Sequence, residues 1–206
     1  MRNKKNWIWL LLFGSIWGMS EVFVGGILYA SDIPRSSIFL AAWALFILAM
    51  ARGIVNKPGS STAIGAIATL FKLVNASPFI CHLLGIFALG VAFDAAASLL
   101  LKKERRSIIW KTLTGVVSAY GGYALFALVI TYVIRYDFWA AAGWPKVANH
   151  IFVSGSMTAL GGALLVPLGY LVGVNSGLLA ERQSRFAYTA SIAGVVVLWV
   201  LGRFVG

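Results

Sequence analysis

Trp7-Ile-Trp-Leu-Leu-Leu-Phe-Gly-Ser-Ile-Trp-Gly-Met-Ser-Glu-Val-Phe-Val-Gly-Gly-Ile-Leu-Tyr-Ala30 is a run of 24 residues with one formal charge, on Glu21. As a helix it reaches about 36 Å, longer than the roughly 30 Å hydrocarbon core of a bilayer. The basic segment before it, Arg2 to Lys5, gives the outline of a signal peptide. The apolar run nevertheless continues to Ala30 without a small-x-small cleavage site, so a retained first span is expected. Similar runs recur at 36–55, 61–77, 79–101, 107–134, 150–175 and 186–205. The fold expected is therefore all-α, a polytopic transmembrane helical bundle of six to seven spans forming one domain over 1–206. The third segment is short, holds Lys72 and breaks at Asn75-Ala76-Ser77-Pro78. The stretch 61–101 thus reads as two spans, or as one span and a re-entrant element.

Composition agrees with a membrane solvent. Of 206 residues, 60% are hydrophobic and 11% charged, against about 25% charged in a soluble domain. Mean hydropathy is +0.88. A soluble core of this size cannot bury so much apolar surface. The net charge of +11 sits in short loops, where it sets orientation in a membrane rather than binding nucleic acid. Twelve basic residues fall on one side: Arg2, Lys4, Lys5, Arg52, Lys57, Lys102, Lys103, Arg105, Arg106, Lys111, Arg182 and Arg185. Four fall on the other: Arg35, Arg135, Lys146 and Arg203. The positive-inside rule then predicts a multi-pass cell-membrane protein, seven crossings and a cytoplasmic N-terminus. The longest non-apolar stretch, about 135–149, is expected as an outer loop, with Trp139 and Trp144 in an interfacial belt.

Cys81 is the single cysteine, which excludes an internal disulfide and any multi-cysteine metal site; His82 and His150 add little. No metal or cofactor is expected. There is no Gly-x-Ser-x-Gly elbow, no His-Glu-x-x-His helix and no phosphate loop. The chain reads as a binding or conducting protein rather than an enzyme.

Charges inside spans cost about 2.5–3.5 kcal/mol on insertion scales, so each asks for a reason. Glu21 lies nine residues before the end of its span and Lys72 five before the end of the third. Asn75 and His82 follow at the same depth, which places all four in the outer leaflet. Asp94 lies in the inner half and belongs to another site, where a buried hydrogen bond or helix pairing suits its small neighbours Ala95-Ala96-Ala97-Ser98. Gly14, Trp17, Gly18, Glu21, Gly25 and Leu28 share one stripe of the first helix. Such a stripe faces other helices. It forms either a pocket wall, with Glu21 accepting hydrogen bonds from a ligand and Trp17 stacking on it, or a seam in which Glu21 pairs with Lys72 or His82. Lys72 can alternatively snorkel to the headgroups, and His82 can sit at the interface. Gly169-xxx-Gly173-xxx-Gly177 is a helix-packing signal, by default within the chain.

Gly14-Ser-Ile-Trp-Gly18-Met-Ser-Glu21, Gly65-Ala-Ile-Ala-Thr-Leu-Phe-Lys72 running into Asn75, and a Gly/Ala-rich helix ending in Phe93-Asp94 give the chain, over about 10–180, a pattern. It resembles the substrate-binding (S) components of energy-coupling factor (ECF) type transporters. The resemblance implies capture of a vitamin, its precursor or another micronutrient in a pocket near the outer face. It also implies uptake with a transmembrane coupling protein and two ATPase subunits. Trp17, Glu21, Lys72, Asn75 and His82 are then the candidate substrate-binding residues. Gly14 and Gly18 match the small-xxx-small motif that meets the coupling protein, although they share a stripe with Glu21. Family members usually have six spans with both ends inside; here 186–204 adds a seventh. Two other readings stand beside this one. The first is an accessory subunit of an ion- or proton-translocating complex; the second, with less support, is an intramembrane enzyme acting on lipid.

Overall fold

A computed structural model describes residues 2–76, 79–101, 107–182 and 184–205. Lys102, Lys103, Arg105 and Arg106 of the expected inner charge cluster lie outside the described residues, as do Ser77 and Pro78 at the predicted break. The side chains of Arg2, Lys4, Lys5, Arg182 and Arg185 are likewise not described.

The described residues are almost entirely helical, and no strand occurs among them. The helices are α1 (Arg2–Ala30), α2 (Ser36–Ile54), α3 (Ser60–Asn75), α4 (Ile80–Leu100), α5 (Ile108–Leu128), α6 (Asp137–Ala140), α7 (Gly143–Asn149), α8 (Gly155–Arg182) and α9 (Ser184–Val205). Two π-helical turns, Val129–Val133 after α5 and His150–Ser154 before α8, interrupt the regular pattern. Six helical stretches among the described residues are long and apolar enough to cross a membrane. The protein is thus a multi-pass helical bundle. Of the seven expected spans, the one absent from those six is α3, whose 16 residues amount to about 24 Å.

Close approaches give the helix directions. Gly65 of α3 packs on Gly90 of α4, and Asn75 ends α3 just before α4 begins at Ile80, so the two are antiparallel. Gly14 and Gly18 of α1 meet Ile67 and Phe71 of α3, so α1 and α3 run the same way. Gly122 of α5 meets Leu89 of α4, and Gly155 of α8 meets Tyr120 and Tyr123 of α5. Gly169, Gly173 and Gly177 of α8 lie on Phe46, Met50 and Ile54 of α2, which run parallel to it. Trp199 of α9 donates to Ser15 Oγ of α1 at 2.9 Å, and Gly194 sits on Leu12. Direction therefore alternates through α1, α2, α3, α4, α5, α8 and α9. Short as it is, α3 runs from one end of the bundle toward the other rather than turning back.

Small residues let these backbones touch. A Cβ on Gly173 would overlap the Met50 carbonyl, and one on Gly115 the Gly162 carbonyl. Leu45, Leu48, Ile64, Ala68, Phe93 and Val166 fill the centre. On the outside, α9 leans on α1 and α3 and is only 11% buried over its apolar window.

The stretch 135–149, read above as a loop, is instead folded into α6 and α7. Left-handed backbone at Arg135 (φ 55°) and Gly143 (φ 55°) turns the chain on either side of α6. Trp139 is not an interfacial residue: it is 8% exposed and packs edge-on against Phe126 with centroids 5.1 Å apart. Trp144, by contrast, is 58% exposed.

Candidate functional site

The end of the bundle where α1, α3 and α5 finish and α2, α4 and α8 begin holds a partly open cavity of about 230 Å³. Its wall includes Trp17, Glu21 and Tyr29 of α1, Ser37, Leu40 and Ala41 of α2, and Lys72 of α3. Cys81, His82, Gly85, Ile86 and Leu89 of α4, Gly122, Tyr123 and Phe126 of α5, Trp139 of α6 and His150 complete it. Four of the five residues singled out as substrate-binding candidates, Trp17, Glu21, Lys72 and His82, thus line one space.

The polar wall is built from two helices. Trp17 and Glu21 are four residues apart on α1, so they share a face, and Trp17 Nε1 donates to Glu21 Oε1 at 3.2 Å. Across from them, α3 runs beside α1 because Gly18 leaves room for Phe71. That contact sets Lys72 Nζ 3.1 Å from Glu21 Oε2. Of the two alternatives for Glu21, the pairing with Lys72 is present, and the pair also forms part of the cavity wall. Lys72 is drawn inward rather than extended to a headgroup; its side chain is 6% exposed, against 10% for Glu21.

The opposite wall is aromatic. The His82 ring stacks on Tyr29 with centroids 5.0 Å apart and planes 19° from parallel, and Phe79 meets it edge-on. His150, in its π-helical turn, is boxed by Tyr123, Phe126 and Trp139 at 4.6, 5.3 and 5.1 Å. Tyr123 Oη accepts from Thr158 Oγ1 at 2.9 Å, which holds that ring in place. π-Helical turns interrupt the i to i+4 ladder and often mark functional positions; here one carries His150 and the other follows Phe126 on α5.

Asn75 falls outside the cavity. Its Nδ2 donates to Phe71 O at 2.9 Å, and Gly202 of α9 covers it. Its side chain lies toward α9 rather than toward the cavity. Gly14 and Gly18 are also corrected as docking residues. A Cβ on Gly14 would lie 2.6 Å from Ile67, and one on Gly18 2.5 Å from Phe71. The motif is thus covered by α3 of the same chain and is closed to a partner.

Sequence reasoning did not identify Tyr29, Ser37, Tyr123, Phe126, Trp139 or His150. An aromatic on an apolar helix looks the same whether it faces a core or a cavity. The one local signal was a histidine beside Ser154-Gly155-Ser156.

At the other end of the bundle, Asp94 joins a different constellation, as its depth suggested. Arg52 Nη1 lies 3.0 Å from Asp94 Oδ1 and also donates to the Lys57 carbonyl and Ser60 Oγ, while Nη2 donates to Ser98 Oγ at 2.8 Å. Asp94 accepts from the Gly59 and Ser61 backbone amides at 2.7 and 3.0 Å. A carboxylate from α4 thereby caps the exposed amides at the start of α3 and complements its dipole. Gly59, at φ 84°, makes the turn that points its amide there. Among the described residues no cluster of three or more His, Cys, Asp or Glu side chains is placed to hold a metal.

Compared with known protein families, curated proteins and solved structures, the chain matches none.

Proposed function

We propose that this protein is a membrane-embedded binding subunit that captures a small-molecule micronutrient, a vitamin or its precursor, in the cavity beside Glu21 and Lys72. Uptake is then driven by a partner ATPase module through a transmembrane coupling protein. The observation that carries this reading is the convergence of Trp17, Glu21, Lys72 and His82 on one cavity at one end of the bundle. Binding sites between helices combine apolar and aromatic walls with a few placed polar groups, and charges held inside a membrane bundle mark ligand or ion pathways. The excess of Lys and Arg at the opposite end favours an outward-facing Glu21 end.

An ion- or proton-translocating role needs polar stepping stones between the two ends. Between the two ion pairs, the buried residues Ile64, Ala68, Ile86 and Leu89 of α3 and α4 are apolar, and the buried hydroxyls of α1 and α5, Ser15, Thr114 and Ser118, are tied to Trp199 and to carbonyls of their own helix.

Mild affinity purification of the full chain from native membranes, with mass spectrometry of proteins and retained small molecules, tests the reading. The expected result is a coupling protein with ATPase subunits, a bound micronutrient-like compound, or both. Recovery of redox or ion-pump subunits instead overturns it and returns Lys72 and Asp94 to candidacy for a proton path.

A further inference from the structure

We infer that the cavity selects a flat, net-neutral ring system with a hydrogen-bond donor and acceptor side by side on one edge, as in lactams, ureides and pteridinediones. This rests on the binding-subunit reading and names its substrate class.

The first argument is charge. Glu21 is the carboxylate and Lys72 the ammonium of the cavity wall, beside the imidazoles of His82 and His150, and the two charges already neutralise each other at 3.1 Å. A ligand with net charge, once it has displaced water from the cavity, would leave one charge in excess against largely apolar walls, which is costly. A neutral ligand leaves the pair intact.

The second argument is the hydrogen-bonding face. An ammonium has three N–H donors, and a carboxylate has about four acceptor positions. Glu21 takes one bond from Trp17 on one oxygen and one from Lys72 on the other. Spare acceptor positions therefore lie beside the spare donors of the lysine. An N–H next to a C=O on a ring edge complements that pattern, whereas a ring with only acceptors or only donors satisfies half of it.

The third argument is shape. The box formed by Tyr123, Phe126 and Trp139 resembles a cage for cations, but His150 already fills it. What the wall offers a ligand is flat ring surface, including the Tyr29–His82 stack. A cavity of about 150 Å³ admits one benzene ring, so 230 Å³ suits two fused rings.

The test is isothermal titration of the full chain in lipid nanodiscs with lumazine, 1,3-dimethyllumazine, N-methylquinolinium and quinoline-2-carboxylate. These share a two-ring size and differ in edge donors and charge. Lumazine is expected to bind at least tenfold more tightly than each of the others, and Glu21→Gln to weaken it tenfold or more. The methylation comparison uses the unmodified chain, so it stands even where that variant fails to fold. Equal binding of the methylated and parent compounds, preference for either ion, or no saturation by lumazine overturns the inference. A charged compound recovered with an ATPase module from native membranes removes this substrate class and leaves the binding-subunit reading in place.

Discussion

Two ion pairs in this bundle are about equally withdrawn from solvent, yet they are surrounded differently. The Arg52 and Asp94 side chains are 1% and 13% exposed, and those of Lys72 and Glu21 6% and 10%. At the Asp94 end, arginine and carboxylate are tied into two hydroxyls, a carbonyl and two backbone amides. At the Glu21 end, the pair has one further partner, the Trp17 indole, and borders a cavity. Burial alone does not distinguish an ion pair locked into a hydrogen-bond network from one that borders a cavity. The degree to which its hydrogen-bonding capacity is already used does.

The largest expected effect breaks the more fully bonded pair, in which both terminal nitrogens of Arg52 are engaged and its Nε is not. Arg52→Ala leaves the Asp94 carboxylate without its cation and should cost about 3–5 kcal/mol of stability, read as a lowered unfolding midpoint in detergent. Glu21→Gln should leave that midpoint close to the parent value, because the adjoining cavity lets solvent reach Lys72. Ligand affinity should instead fall by about 1.5–3 kcal/mol, the worth of a hydrogen bond to a charged group, measured by titration of whichever compound the native protein retains. An unfolding midpoint as low as that of Arg52→Ala would erase the contrast and make both pairs structural.

Gly18→Ala sharpens the comparison by moving the helix that carries Lys72. The added methyl meets Phe71 at 2.5 Å, and such overpacking costs about 1–3 kcal/mol, again read from thermal unfolding. Partner recovery from membranes should change only in proportion to the loss of folded protein; a selective loss of partner would restore the docking role. The smallest effect is expected of Trp17→Phe, which keeps an aromatic ring but removes the donor to Glu21. It should weaken ligand binding by about 0.5–1.5 kcal/mol, with little change in stability.

The helical bundle was legible because period and length are the strongest signals a membrane chain carries, and because charges at comparable depth must find one another. Glu21, Lys72 and His82 were placed at one level by counting residues from span ends; Glu21 and Lys72 meet in the structure, and His82 lines the same cavity. The count failed at Asn75, since depth says nothing about which face of α3 a side chain occupies. Arg52 was read as a loop cation because it ends an apolar run; its burial depends on Asp94, 42 positions later. Trp139 was read by composition as a belt residue, whereas α6 folds back and carries it under the cavity rim. Aromatic walls were the least legible part, because packing against a core and packing against a cavity require the same side chains.

The shortness of α3 has a consequence for the surrounding lipid. Its roughly 24 Å falls about 6 Å short of an average hydrocarbon core, and Leu70, Leu73 and Val74 near its end are exposed on the bundle surface. Hydrophobic mismatch of this kind is relieved by local thinning of the bilayer. The headgroup layer is therefore drawn inward beside Lys72 and Glu21. A pair that appears deep when measured along the longer α1 then lies up to about one helical turn closer to water.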